Sequence, residues 1–303
     1  MEIPLAQEVI FGLVIGSYIA LGAIGFTLVY GLVNMINFAH GEFITIGAFV
    51  GYLAVAEVGL PLPVAVFVAL GGTAVVGWGI ARITFEPMND AGAVPLLLMS
   101  IGLGLVLRNG IRVIAGPDRR SIRTDVATYR FDDLGFFVTS QQLFIIGLTL
   151  VSVLVLHLFL SRTMLGVAMR ATADNEDLAL VSGIDTRRVR NAVWLAASGL
   201  AGVAGVMLGT AQAASPTVGF GQLLLIITAA ILGGAGSPYG AVAGSYILGI
   251  AVTVSVPFLQ RLEETLALNL ELTALNSTMA FVILIVVLLV RPGGLVSAEV
   301  RTS

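Results

Sequence analysis

Long apolar runs separated by short polar stretches make up most of the chain. No charged residue occurs between Glu8 and Glu42, and the run from about Val9 to Val33 is long enough to cross a bilayer, since a transmembrane helix needs about 20 apolar residues. No basic segment precedes this run, and it is longer than the apolar core of a signal peptide. We therefore expect it to be a retained first membrane span.

Further apolar segments follow along the whole chain. They cover approximately 43–56, 62–81, 93–111, 143–160, 192–214, 223–232, 241–256 and 278–290. The segments 43–56 and 223–232 are too short to cross a bilayer alone, and Gly or Pro bounds each of them. Such segments are tolerated only where protein or a water-filled cavity satisfies the backbone. The pattern predicts an all-α polytopic membrane protein of about 8–10 transmembrane helices with broken or re-entrant segments.

Composition narrows the chemistry that this chain can perform. Of its 303 residues 57% are hydrophobic and 11% are charged, whereas soluble domains carry about 25% charged residues, so a soluble enzyme is excluded. There is no Cys, and all 15 basic residues are Arg, so the chain has neither a thiol nucleophile nor the lysine of an ATP-binding P-loop. The 2 His are far apart in sequence. We expect no metal and no cofactor, and the net charge of -3 gives no indication of a nucleic-acid partner.

The placement of arginines predicts the orientation of the chain in the membrane. The loop 162–190 is rich in basic residues, namely Arg162, Arg170, Arg187, Arg188 and Arg190. Short loops with this composition stay in the cytoplasm. Counting spans from this loop puts Gly116–Gln141 outside, although that loop also carries arginines.

A first polar motif lies between two apolar spans. Its polar side chains are Asn34, Asn37, His40 and Glu42. Such groups are expensive at membrane depth unless they face a cavity or one another. Asn37 is a suitable N-cap for a helix beginning at Phe38, and a helix N-terminus at membrane depth would attract a carboxylate. An ordinary interfacial turn with a solvated Glu42 and a neutral His40 explains the same pattern equally well.

A second motif lies within the basic loop and predicts a short helix outside the membrane. Asp174 has the character of an N-cap, Glu176 and Asp177 fall in the first turn, and Gly183 is the predicted C′ stop. An isolated helix of about two turns is marginal in water. Its apolar residues need a cover, which is either a neighbouring loop or a partner protein. The apolar residues are Leu178, Leu180 and Val181.

A third motif, 229–240, is a glycine-rich turn before Pro238. It lacks the Lys of a nucleotide-binding loop, and we interpret it as a tight connection between membrane helices. Two glycine-rich, interrupted hydrophobic segments occur, 34–51 and 216–249, one in each half of the chain. An internal repeat would place its site there, although the two segments show no residue-by-residue match.

Three segments, Gly31–Gly51, Met169–Asp185 and Thr228–Gly249, closely resemble the inner-membrane permease subunits of ABC importers for branched-chain amino acids. The most specific parts are Asn-Phe-Ala-His-Gly-Glu-Phe at 37–43 and Leu-Gly-Gly-Ala-Gly-Ser at 232–237. The likeness covers nearly the whole chain in matching order and length.

The resemblance implies an ABC importer permease fold, with one transmembrane permease domain over 1–303 and a cytoplasmic coupling loop over 162–190. The implied location is the prokaryotic inner membrane, surrounded by lipid. The implied partners are a second related permease, two cytoplasmic ATPase subunits that hydrolyse ATP, and an extracytoplasmic substrate-binding protein. The chain itself would be a gated pathway and not an enzyme.

The resemblance also assigns candidate site residues. Those expected to line or shape the substrate pathway are Asn34, Asn37, Phe38, His40, Gly41 and Glu42. Those expected to contact the ATPase are Arg170, Asp174, Glu176, Asp177, Leu178, Ala179 and Gly183. ABC importer permeases often carry Glu-Ala-Ala where this chain has Asp177-Leu178-Ala179, and the later Ile-x-Leu-Pro is absent. The exact ATPase contacts therefore remain open.

Two alternatives remain. Permeases for urea and short-chain amides share these motifs, so the cargo could be such a compound. The other alternative is a stand-alone secondary transporter or channel that uses Glu42 as a proton or cation site. An enzyme is not supported, because the sequence offers no nucleophile or metal constellation.

Overall fold

The computed structural model describes residues 5–122, 126–131, 135–266, 276–291 and 293–295. The helices are α1 (Leu5–Val33), α2 (His40–Tyr52), α3 (Leu62–Thr84), α4 (Ala93–Ala115), α5 (Ser140–Arg162), α6 (Met164–Asp174), α7 (Glu176–Val181), α8 (Thr186–Gln212), α9 (Val218–Gly233), α10 (Pro238–Leu266) and α11 (Asn276–Val290). A π-helical turn, Leu53–Glu57, extends α2, and a 3-10 turn, Glu86–Ala91, follows α3.

Six helices in this part of the chain are long and apolar enough to span a membrane, namely α1, α3, α4, α5, α8 and α10. The two segments that looked too short to cross alone form α2, with 13 residues, and α9, with 16 residues. The predicted all-α polytopic membrane protein with broken segments is therefore confirmed. One addition is an antiparallel hairpin of strands β1 (Thr128–Phe131) and β2 (Phe136–Thr139), which the sequence did not predict.

Local sequence signals explain where several helices begin. Thr139 forms a capping box at the start of α5, because its hydroxyl accepts the N–H of Gln142 at 3.2 Å and the Gln142 side chain accepts the N–H of Thr139 at 2.9 Å. Pro61 precedes α3 in an extended conformation, and the first turn of that helix contains a second proline. These local signals define where α3 and α5 begin.

The bundle has two ends, which we name after the elements that lie there. At the hairpin end, α1 begins beside β2, and the Gln7 side chain accepts the N–H of Phe137 at 2.9 Å. At the α6–α7 end, Val33 at the end of α1 lies in the same small cavity as Arg187 and Arg190 at the start of α8. Thus α1 and α8 run in opposite directions through the bundle, and both are largely buried, whereas α4 and α5 expose most of their surface.

The helix pairs repeat between the two halves of the chain. The helix α1 packs along α10 as α8 packs along α3, and α2 packs on α8 as α9 packs on α1. The pairs α2–α3 and α9–α10 correspond in the same way, as do α2–α4 and α9–α11. Since exchanging α1–α4 with α8–α11 leaves this set of pairs unchanged, and α1 and α8 are antiparallel, the fold contains an inverted internal repeat.

Candidate functional site

The two broken helices meet inside the bundle at their N-terminal ends. The helix α2 begins at His40, whose Nε2 lies 2.9 Å from the carbonyl oxygen of Gly22, near the middle of the 29-residue α1. The first turn of α9 lies against α2, where the Gly219 N–H donates to Thr45 Oγ1 at 3.2 Å. These are the equivalent segments of the two repeat units, and their meeting point lies at membrane depth.

The segment before α2 returns the chain from the α6–α7 end toward this meeting point. Asn34 adopts a left-handed backbone conformation, with φ of 51°, directly after α1. Asn37 Oδ1 accepts the N–H of Ala39 at 3.0 Å, and the Phe38 N–H donates to Ser100 Oγ of α4 at 3.0 Å. The predicted helix start at Phe38 is wrong by two residues. Phe38 and Ala39 form a turn that leads into α2, and the Asn37 side chain caps this turn.

His40 is a packing residue of the core in this conformation. Its ring is buried, and Phe26 and Phe43 contact it edge-on, with ring centroids 6.1 and 6.4 Å away. It shapes the region around the start of α2. Gly41, beside it, faces the backbone of Gly219, so that a Cβ on Gly41 would lie 3.0 Å from the Gly219 carbonyl oxygen.

Glu42 belongs to a buried cluster with two residues from other helices. Arg108 of α4 donates to Glu42 Oε1 from Nη2 at 2.6 Å and from Nε at 3.0 Å. The Arg108 guanidinium carbon lies 3.6 Å from the centroid of the Phe220 ring, in the first turn of α9. Glu42 is 0% exposed, so the solvated Glu42 of the interfacial-turn alternative is wrong. Its second oxygen, Oε2, is buried without a hydrogen-bond partner in the described part of the chain.

Sequence reasoning missed Arg108 and Phe220. Arg108 had a usable signal, since it is an arginine inside the apolar segment 93–111, and an ionisable residue inside a span indicates a functional site by default. Phe220 had none, because an aromatic residue in an apolar segment is ordinary.

The basic loop folds into two short helices. Thr163 caps α6, its hydroxyl accepting the N–H of Gly166 at 3.0 Å. Asp174 is the last residue of α6, so its predicted role as N-cap is wrong. The cap of α7 is Asn175, which has an extended backbone and accepts the Leu178 N–H at 2.8 Å. Asn175 is both the C-cap of α6 and the N-cap of α7, so the cap lies one residue later than predicted.

The end of α7 agrees with the sequence. Gly183 has a φ of 83°, and its N–H donates to the Leu180 carbonyl at 3.0 Å. The Ile184 N–H donates to the Ala179 carbonyl, also at 3.0 Å, which completes a Schellman motif. The prediction of Gly183 as the C′ residue is therefore confirmed.

One side of α7 is fixed to the bundle and the other is exposed. Glu176 forms an ion pair with Arg190 of α8, and Ala179 is buried. Leu178, Leu180 and Val181 are exposed, the last of them 87%. No described part of this chain therefore provides the intramolecular cover that the sequence left open. Arg170 of α6 donates to the Leu160 carbonyl at the end of α5, which fixes the other end of the loop.

The first turns of α8 connect this loop to the membrane helices. Asn191 Oδ1 accepts the indole N–H of Trp78 in α3 at 3.0 Å. Trp194 stacks on Phe85, with ring centroids 5.1 Å apart and an angle of 10° between the planes. Further along, α8 packs against α2. The helix α8 therefore contacts α7 at its start and α3 and α2 along its length.

Six long apolar helices around two broken helices that meet at membrane depth define a multi-pass membrane protein of the transporter class. The chain belongs to the family described as branched-chain amino acid transport system, permease component, whose model matches residues 9–288.

Several relatives align over nearly their full length. The chain is 34% identical to the high-affinity branched-chain amino acid transport system permease protein LivH of Escherichia coli strain K12, over 95% of this chain and 94% of the relative. It is 32% identical to the corresponding protein BraD of Pseudomonas aeruginosa, with the same coverage. It is 28% identical to the probable branched-chain amino acid transport permease protein LivH of Methanocaldococcus jannaschii, over 95% of this chain and 91% of the relative. No solved structure matches the chain.

Proposed function

We propose that this chain forms the gated membrane pathway of an ATP-driven importer for branched-chain amino acids. It acts with a second related permease, two cytoplasmic ATPase subunits and an extracytoplasmic substrate-binding protein. The observation that carries the proposal is the geometry of α7, a short helix held to α8 by Glu176 and Arg190 while its apolar residues stay uncovered. The family and its full-length relatives support the class of transport system and the cargo.

The exposed apolar side of α7 fits a protein partner in the cytoplasm. Exposed leucine and valine side chains on a six-residue helix have no stabilising contact unless another protein covers them. The five arginines of the loop 162–190 favour a cytoplasmic position for it, on the side where the proposed ATPase subunits would lie. In this assignment the loop is the coupling loop of a single transmembrane domain over 1–303 in the inner membrane.

The helix bundle has two conformations, and the ATPases shift the equilibrium between them during transport. ATP closes the ATPase dimer, α7 moves with it, and α8 carries the movement to the broken helix α2. The segment between α1 and the first turn of α2 lines or shapes the pathway, since the helical path is broken there. Its residues are Asn34, Asn37, Phe38, His40, Gly41 and Glu42. A ligand shifts such an equilibrium only by its difference in affinity for the two conformations. Nucleotide binds the ATPase subunits, so it acts on the bundle through the contact between the ATPase and α7.

The test uses the assembled transporter with Val181→Asp. A carboxylate placed in the apolar contact should reduce the amount of ATPase that copurifies with the chain and abolish ATP-driven leucine uptake into proteoliposomes. The matched control is Val113→Asp, since Val113 is 85% exposed and lies at the opposite end of the bundle, near the end of α4. Both variants should reach the membrane at the level of the unchanged chain.

Two results would contradict the proposal. Solute flux driven by an ion gradient through the purified chain alone would indicate the stand-alone secondary transporter. Uptake of urea or short-chain amides by the assembled transporter, with no uptake of leucine, would indicate the alternative cargo.

A further inference from the structure

We infer that Glu42, Arg108 and Phe220 form a binding site for the zwitterionic head of the transported amino acid. Arg108 takes the carboxylate, the free oxygen of Glu42 takes the ammonium group, and the Phe220 ring contacts the apolar side chain. This inference rests on the proposed function and assigns a site within it.

The cluster has unused binding capacity of both signs. Both hydrogen bonds from Arg108 go to Glu42 Oε1, one from Nη2 and one from Nε. The remaining nitrogen of the guanidinium, Nη1, donates to no described residue, so one donor group is free for a carboxylate. Glu42 Oε2 is buried and accepts no hydrogen bond from the described residues. A buried carboxylate oxygen without a donor is costly, and an ammonium group is the strongest donor that a free amino acid offers.

The cluster is also open on one side. The Arg108 side chain is 16% exposed, and Phe220, on which it stacks, is 43% exposed. Arg108 lies seven residues before the end of α4, about 10 Å inside the bundle at the rise of a helix. An arginine that contacts lipid at this depth is expensive, so the open side faces water or protein. Glu42 lies in the first turn of α2 and Phe220 in the first turn of α9, so the cluster lies at the meeting point of the two broken helices, where a transporter with inverted repeats binds its substrate.

Charge balance selects the class of ligand. Glu42 and Arg108 together carry no net charge, and a zwitterion carries one charge of each sign. Binding therefore adds a cation beside Glu42 and an anion beside Arg108 and leaves no charge unpaired. An acidic or basic amino acid would bring an additional charge into this region, and urea or a neutral amide has no ammonium group for the free oxygen of Glu42. The apolar Phe220 ring favours an amino acid with an apolar side chain.

Equilibrium binding to the assembled transporter, without the substrate-binding protein, tests the site. Radiolabelled leucine should bind. Leucinamide, which lacks the carboxylate, and 4-methylpentanoate, which lacks the ammonium group, should each compete at least about tenfold more weakly, the loss expected when a charged partner is left unpaired. Competition by either analogue as strong as by leucine would overturn the site.

Arg108→Lys keeps the positive charge and its attraction to Glu42 but loses the planar fork that fits a carboxylate. We expect leucine affinity to fall by about tenfold or more, since the charged hydrogen bond from the guanidinium to the leucine carboxylate is lost. The control is Arg112→Lys, an exposed position one turn further along α4, where leucine affinity should stay unchanged. A purely structural ion pair predicts unchanged leucine affinity in both variants.

A second variant tests the site even if the Arg108→Lys protein does not fold. Phe220→Leu keeps the ion pair and an apolar residue but removes the aromatic face, and we expect leucine affinity to fall several-fold at unchanged thermal stability. Unchanged leucine affinity in Phe220→Leu would overturn the site. So would the absence of leucine binding in a transporter that still imports leucine. Both results would leave the proposed importer function intact. A transporter that imports urea and not leucine overturns the proposed function itself.

Discussion

Gly47 of α2 lies against the backbone of Gly202 in α8, so closely that a Cβ on Gly47 would overlap the Gly202 Cα. Gly202 also lies close to α3, since a Cβ on Gly202 would lie 2.6 Å from the Ala69 carbonyl oxygen. Three helices therefore approach one another where the sequence supplies no side chains. The N-terminal part of α8 contacts α7 through Arg190. Through the contact of Gly202 with Gly47, the same helix also contacts the broken helix α2.

Gly47→Ala should destabilise the bundle. The added methyl group must displace the α8 backbone, and overpacking of this kind costs about 1–3 kcal/mol. The measurement is the thermal unfolding midpoint of the purified chain in detergent. Gly71→Ala is the control, since a Cβ on Gly71 of α3 meets no atom within 4 Å. Alanine there should leave the midpoint unchanged or raise it. Equal midpoints for the two variants would contradict the close contact of α2 with α8.

Glu42→Gln should lower stability because it leaves the Arg108 cation without its counter-charge. Loss of a charged hydrogen-bond partner at a buried position costs about 1–3 kcal/mol. Adding Arg108→Gln removes the unpaired charge, so the double variant should lose less stability than the two single variants together. The measurement is a double-mutant cycle on the free energy of unfolding. Strict additivity would show that the two side chains do not interact.

The sequence predicted the helical spans, the two broken segments and the end of α7 because these depend on local signals. Apolar runs of sufficient length define a span, and Gly183 supplies the positive φ that ends α7. The contact of Glu42 with Arg108 joins residues 66 positions apart, and no local signal specifies which helices become neighbours. Glu42 and Arg108 carried a signal as ionisable residues in or beside apolar segments, but Phe220 carried none, and the proximity of the three residues could not be predicted.

The cap of α7 shows a different limit. Asp174 and Asn175 are adjacent, and both residue types are good N-caps. The choice between them depends on where α6 ends, and in the structure α6 continues through Asp174. Likewise, the hairpin of β1 and β2 is held at the hairpin end by Gln7 of α1, a contact across 130 positions. Local sequence specifies neither the residue at which α6 ends nor the contact of Gln7 with the hairpin.

Gly183→Val should uncouple ATP hydrolysis from uptake. A β-branched residue at positive φ costs at least about 1–2 kcal/mol, enough to disrupt the Schellman motif that ends α7. Gly183→Asn is the control, since Asn tolerates the left-handed conformation. The measurement is the number of ATP molecules hydrolysed per leucine imported in proteoliposomes, which should rise for Val and stay near the parental value for Asn. Parental transport by the valine variant would show that this turn is not needed for coupling.

Asn175→Ala and Asp174→Ala separate the observed cap from the predicted one. Asn175 accepts the N–H of Leu178, so its loss should destabilise α7 by about 0.5–2 kcal/mol, the usual cost of removing an N-cap. Asp174 ends α6 without capping α7, so Asp174→Ala should leave α7 unchanged. Amide hydrogen exchange over 176–181 measures this difference directly, with faster exchange expected only in Asn175→Ala. Under the proposed function the exposed residues of α7 bind the ATPase, so the same variant should also copurify less ATPase. Faster exchange in Asp174→Ala alone would restore Asp174 as the cap and place the start of α7 one residue earlier.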